Sequence, residues 1–99
     1  MLKSRIKRNF STTGKEREPL KIYDYNGRKN ISGERIREAR LKKRLTQQDL
    51  AARVQVEGVI IERDSISRVE IGTRFIPDYE IPVFARVLGV SALWLLGIE

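Results

Sequence analysis

The chain has 99 residues, enough for one domain with a single core and a tail to spare, and its 20 Lys and Arg against 13 Asp and Glu leave a net charge of +7. Cys and His are both absent, which excludes disulfides, thiol chemistry, zinc fingers, imidazole metal sites and hydrolytic triads. No apolar run approaches a membrane span. This balance favours a small binding protein with a polyanionic partner over an enzyme, with no catalytic residue, metal or cofactor expected.

The charge is unevenly placed. Residues 1–30 carry nine basic side chains against Glu16, Glu18 and Asp24, a net of +6, whereas residues 31–99 carry eleven basic and ten acidic, a net of +1. Residues 1–30 have few large apolar side chains and no period, so they read as a basic, largely irregular arm, flexible or loosely docked. Ile22, Tyr23 and Tyr25 can add a short extended stretch that docks on the domain, and Asn26-Gly27 reads as a turn. The first residues, basic, bearing Ser and Thr and free of acids up to Glu16, also resemble an organellar transit peptide. A tail on DNA phosphates or in the minor groove is the functional alternative. Phe10, Tyr23 and Tyr25 among the basic residues could stack on bases.

From Ile31 to Glu99 the chain reads as helices separated by tight turns. Ser32 is the expected N-cap of a first helix over residues 33–43, with Ile36, Ala39 and Leu41 as its apolar face. Thr46 opens a second helix in a capping-box arrangement with Asp49, and Leu50, Ala51 and Val54 recur behind it. Gly58 fits the position just past that helix. A third helix over about Asp64 to Ile71 buries Ile66 and Val69 and stops at Gly72. Asp78 is the expected cap of a fourth, with Pro82 in its first turn, Ile81, Phe84, Ala85 and Leu88 inside, and Gly89 at its end. Ser91 caps a last turn or two carrying Leu93, Trp94, Leu95 and Leu96. No strand pattern competes, so the domain is expected to be all-α.

Two short consecutive helices in a small basic protein already point to helix-turn-helix geometry. The segments Gly33-Glu-Arg-Ile-Arg-Glu-Ala-Arg, Leu45-Thr-Gln-Gln-Asp-Leu-Ala, Ser65-Ile-Ser-Arg-Val-Glu-Ile-Gly and Leu88-Gly-Val-Ser with Trp94-Leu-Leu, in that order, resemble the Cro and lambda-repressor-like family, often called xenobiotic-response-element (XRE) regulators. The resemblance spans about residues 31–98. It implies a five-helix DNA-binding domain whose third helix lies in the major groove with its first residues toward base edges. By the same resemblance, Arg63, Asp64, Ser65, Ser67 and Arg68 are the base-reading candidates. An arginine fork suits guanine, and an aspartate can accept only from cytosine. Gln47 is expected on a backbone phosphate at the start of the second helix, whose amides favour an anion. Lys43 and Arg44 nearby, and Thr73 and Arg74 after the third helix, are further phosphate candidates. Arg40 and Glu70 align with an ion pair that ties the first helix to the third.

Two features depart from the family pattern. From Thr46 to Ile66 there are twenty residues, about five more than the usual spacing around a short turn; the surplus near Gln55–Glu62 leaves either a longer second helix or an expanded turn. Glu62 stands where a Ser or Thr cap is common, and Asp64 can cap in its place. Negative charge from Glu57, Glu62 and Asp64 near a DNA face helps only by disfavouring wrong sites.

The expected function is thus a sequence-specific transcriptional regulator of double-stranded DNA, a repressor, cytoplasmic and nucleoid-associated. Trp94, Leu95, Leu96 and Ile98 close the core or pair two copies as a weak homodimer, which would set two reading helices one DNA turn apart. The alternative is a helical protein-interaction module such as an antitoxin or anti-repressor; RNA binding through the arm is a third reading.

Overall fold

The computed structural model describes residues 25–99. The transit-like start and Phe10, Ile22 and Tyr23 lie outside the described residues. Five helices follow in order: α1 (Gly33–Lys42), α2 (Gln47–Val56), α3 (Arg63–Ile71), α4 (Ile81–Leu88, entered through a 3-10 turn over Asp78–Glu80) and α5 (Ala92–Leu95). Among the described residues there is no strand, only an isolated antiparallel bridge between Tyr25 and Arg28. Asn26 and Gly27 close that bridge with φ of 52° and 80°, the doubly left-handed turn for which Asn-Gly is the preferred pair. No helix among these residues is long and apolar enough to cross a membrane.

Local chemistry sets most boundaries where the sequence puts them. The Thr46 hydroxyl accepts from the Asp49 amide and the Asp49 carboxylate accepts from the Thr46 amide, both at 3.0 Å, so two amides that a helix start leaves unpaired are satisfied together. Hydrogen bonding to the carboxylate, from the Thr46 amide first and the Thr46 side chain second, holds the Asp49 carboxyl below the usual carboxylate range. The Ser91 hydroxyl accepts from the amides of Leu93 and Trp94 at 3.0 and 3.4 Å. α3 ends at Gly72, whose φ of 91° is left-handed backbone that a side chain would strain. Pro82 sits in the first turn of α4.

Four expectations need correction. Ser32 does not cap α1 with its side chain; its buried hydroxyl instead donates to the Leu95 carbonyl at 2.7 Å, and Asn30 Oδ1 accepts from the Gly33 amide at 2.7 Å. Leu41 is 48% exposed, because 41 falls two positions from Ala39 and so off the inner face; Arg40 is buried in its place. Asp64 lies inside α3, and Glu62 takes the N-cap position without a side-chain bond. Asp78 starts the 3-10 turn rather than capping α4.

The core is one cluster that includes Ile36, Leu50, Val54, Ile61, Ile66, Val69, Phe84, Leu88 and Leu95. Each large side chain buried there stabilises the fold by roughly 1.5–3 kcal/mol. α3 packs against α1 and α2, and α4 against α1, α2 and α5. The surplus residues between Thr46 and Ile66 fall in the connection after α2, not in the helix itself, which ends at Val56. Ile61 buries itself in the core and its carbonyl accepts from Gln55 Nε2 at 2.5 Å, while Arg86 of α4 holds Glu57 at 2.8 Å. That pinning leaves Ile60 outside, 90% exposed.

α1 and α3 meet almost backbone to backbone. A Cβ on Gly33 would fall 2.0 Å from the Val69 carbonyl oxygen, far inside any allowed contact, so only glycine lets the two helices approach this closely.

Candidate functional site

α3 turns Ile66, Val69 and Glu70 into the protein. Helical spacing then places 64, 67, 68 and 71 on the opposite ridge. Asp64, Arg68 and Ile71 are exposed there and Ser67 is half-buried. Arg63 is exposed in the first turn, with its guanidinium on the Asp64 carboxylate at 3.0 Å. Ser65 is half-buried and lies about 100° of helical rotation away from Asp64. The ridge therefore unites Asp64, Ser67 and Arg68, ties Arg63 to its edge through Asp64, and leaves Ser65 on a flank. Among the described residues the Arg68 side chain has no hydrogen bond or ion pair. Ile71 joins the ridge unannounced; its position seven residues after Asp64, two helical turns on the same face, is the signal that could have found it.

Behind the ridge stands a buried polar network. Glu70 Oε2 accepts from Arg40 Nε at 2.6 Å and Oε1 from Arg40 Nη2 at 2.9 Å. The side chains are only 8% and 1% exposed. Arg40 Nη1 donates further to the Leu45 carbonyl at 2.8 Å. The hydrogen bonds to Glu70 hold the Arg40 guanidinium above its ordinary pKa, against the opposing effect of burial. Gln47 Nε2 adds a bond to Glu70 Oε1 at 3.0 Å, and Arg37 reaches the same oxygen at 4.0 Å. One carboxylate on α3 thus gathers residues of α1 and α2. Gln47 is half-buried; its amide carries two hydrogens, so the bond to Glu70 leaves one for an external acceptor.

The remaining cations separate into bound and open. Arg74 donates to Glu80 in a fork, at 3.0 and 3.2 Å, and to the Phe75 carbonyl at 3.1 Å. Glu80 is buried, so this guanidinium, expected on phosphate, has an internal carboxylate to neutralise; nothing in the sequence pairs the two. Thr73 beside it is exposed. Lys43 and Arg44 are exposed after α1 and have no ion pair among the described residues. Arg44 holds a φ of 58°, left-handed backbone where glycine would be favoured.

Chemically, the surface offers an arginine fork, hydroxyl and carboxylate groups and an apolar tip on one helix ridge, and a helix start beside open cations. Donors, acceptors and a methyl-bearing side chain are what base edges and phosphates engage. No cluster among the described residues could hold a metal ion. The family model described as a helix-turn-helix domain matches residues 33–94, more than half of the chain. No curated protein matches it.

Proposed function

This chain belongs to the helix-turn-helix domain family, and from that premise we propose that it is a sequence-specific transcriptional regulator, a repressor that acts by occupying its operator. Its kinship within the family is to the Cro and lambda-repressor-like XRE regulators. α3 is the reading helix, with Arg68, Ser67 and Asp64 toward base edges, Arg63 released from Asp64 on binding, and Ser65 at the margin. Ile71 supplies an apolar contact of the kind a thymine methyl accepts. Gln47, Lys43, Arg44 and Thr73 meet phosphate, and Arg74 shapes the strip after α3 from its seat on Glu80.

The observation that carries this reading is Arg68, an arginine without a partner among the described residues, on the outward ridge of the second helix of the motif. The strained backbone of Arg44 supports it, since a cation kept where glycine is easier invites a functional reason. Exposed Leu93 and Ile98 near the C-terminus are the surface for a weak homodimer. Basic side chains of the arm of residues 1–30 other than Arg28 add phosphate contacts, the protein works in the cytoplasm on the nucleoid, and the reading needs neither cofactor nor catalysis.

Selection of duplexes from a random pool tests this. An enriched site should outcompete random duplex by at least about a thousandfold, with binding that weakens steeply with salt. Arg68→Ala should lose about 1–3 kcal/mol of that preference. If random duplex competes as well as any enriched one, the protein-interaction reading takes over, with Val56 and Ile60, both exposed around the α2–α3 connection, as its surface.

A further inference from the structure

An α-helix leaves its last carbonyls without intrahelical partners. In α3 the Arg68 carbonyl accepts from the Gly72 and Thr73 amides, and the carbonyls after it receive donors from residues that precede α1. Asn30 Nδ2 donates to the Val69 carbonyl at 3.0 Å, Arg28 Nη2 to Glu70 at 2.9 Å, Arg28 Nη1 to Ile71 at 3.3 Å, and the Lys29 amide to Gly72 at 2.7 Å. Asn30 Nδ2 also reaches the Arg74 carbonyl at 2.8 Å, and its Oδ1 holds the Gly33 amide at 2.7 Å. The Arg28 guanidinium covers Gly72 so closely that a Cβ there would sit 2.7 Å from Cζ. It also places a cation at the negative end of the helix dipole.

We propose that Arg28 and Asn30 are positioning residues for base reading: they fix the carboxyl end of α3, and with it Ile71 and Thr73, against the start of α1. The proposal rests on the DNA-reading function above and extends it to a segment outside the matched residues 33–94. Ile66 and Val69 anchor the middle of α3 in the core, but a short helix held at its middle can still pivot. Clamping four successive carbonyls removes that freedom. Arg28 suits this task because its planar fork holds two nitrogens at a fixed spacing, one for each of two adjacent carbonyls, whereas a lysine offers its donors from a single, freely rotating nitrogen. Asn30 suits it because one amide donates to α3 and accepts from α1 at once.

The full chain is compared with its Arg28→Lys, Arg28→Ala and Asn30→Asp variants. Affinities for the enriched duplex and for random duplex are measured across a salt series, at temperatures where circular dichroism shows each variant folded. Asn30→Asp keeps the acceptor for Gly33 and loses the donor to Val69 and Arg74. Positioning predicts that all three variants lose preference for the enriched duplex by roughly 3- to 30-fold, with the salt slope unchanged. If Arg28→Lys matches the wild type and Arg28→Ala weakens all duplexes alike with a shallower slope, Arg28 is a phosphate contact and the proposal is overturned. Folded variants with lower Tm but wild-type preference reduce the clamp to stability and overturn it too. Should Asn30→Asp not fold, the two Arg28 variants decide. A wild-type chain without preference removes the regulator reading and this proposal together, whereas preference untouched in the variants removes the proposal alone.

Discussion

Replacing Glu70 by alanine isolates the cost of an orphaned buried charge. The Arg40 guanidinium would keep its bond to the Leu45 carbonyl and lose both bonds to the carboxylate. With its side chain 8% exposed, it cannot recover that hydration without disturbing the packing of α1 on α3. Breaking one side of a buried pair costs about 3–5 kcal/mol. For a domain of this size each kcal/mol lowers Tm by about 4–8 °C, so a drop of at least about 12 °C is expected. Urea titration followed by circular dichroism should show the same loss as an earlier midpoint with an unchanged slope. The double variant Arg40→Met with Glu70→Met should recover most of it, because a well-packed apolar pair is often as stable as a buried ion pair. A Glu70→Ala stability within about 0.5 kcal/mol of wild type, where ordinary surface substitutions fall, would show that water already solvates Arg40 and would refute the reasoning.

Other expectations follow from single features. Arg44→Gly should raise stability by about 1 kcal/mol by relieving left-handed backbone, while weakening binding to all duplexes alike; a melting temperature that falls would sink the strain argument. Gly33→Ala should destabilise by about 1–3 kcal/mol or more through overpacking against the Val69 carbonyl, and a neutral result in denaturant would contradict the close helix approach. The depressed carboxyl of Asp49 contributes stability above the unfolded carboxylate pKa of about 3.9, and that contribution disappears as pH falls through the lower folded value. Stability measured from neutral to acid pH should therefore converge between wild type and Asp49→Asn, and curves that stay parallel would remove the capping box as the cause.

Most of the fold was legible because its signals are local. Thr46 with Asp49, Ser91, Gly58, Gly72 and Gly89 each mark a helix end through chemistry confined to one turn, and the spacing of Leu50, Ala51 and Val54 or of Ile81, Phe84, Ala85 and Leu88 needs no partner to be read. Leu41, Asp64 and Asp78 were local misreadings of a helix face or boundary; elsewhere a residue near in sequence gave way to one far away. Ser32 has the composition of a cap, yet Leu95, sixty-three positions on, claims its hydroxyl. The roles of Arg28 and Asn30 were invisible for the same reason, since their partners lie about forty residues away.

The outward ridge of α3 also bears on how such a protein can change. Asp64, Arg68 and Ile71 are exposed, while Ile66, Val69 and Glu70 of the same helix hold the fold. The exposed ridge and the packing face lie on opposite sides of one helix. Under the reading proposed above, substitutions on the ridge would rewrite the preferred operator at little cost in stability, so duplicated copies of this chain could drift to new sites while still folding. Substitutions at Gly33, Arg40 or Glu70 offer no such freedom, and recoding by selection should draw its variation from the ridge.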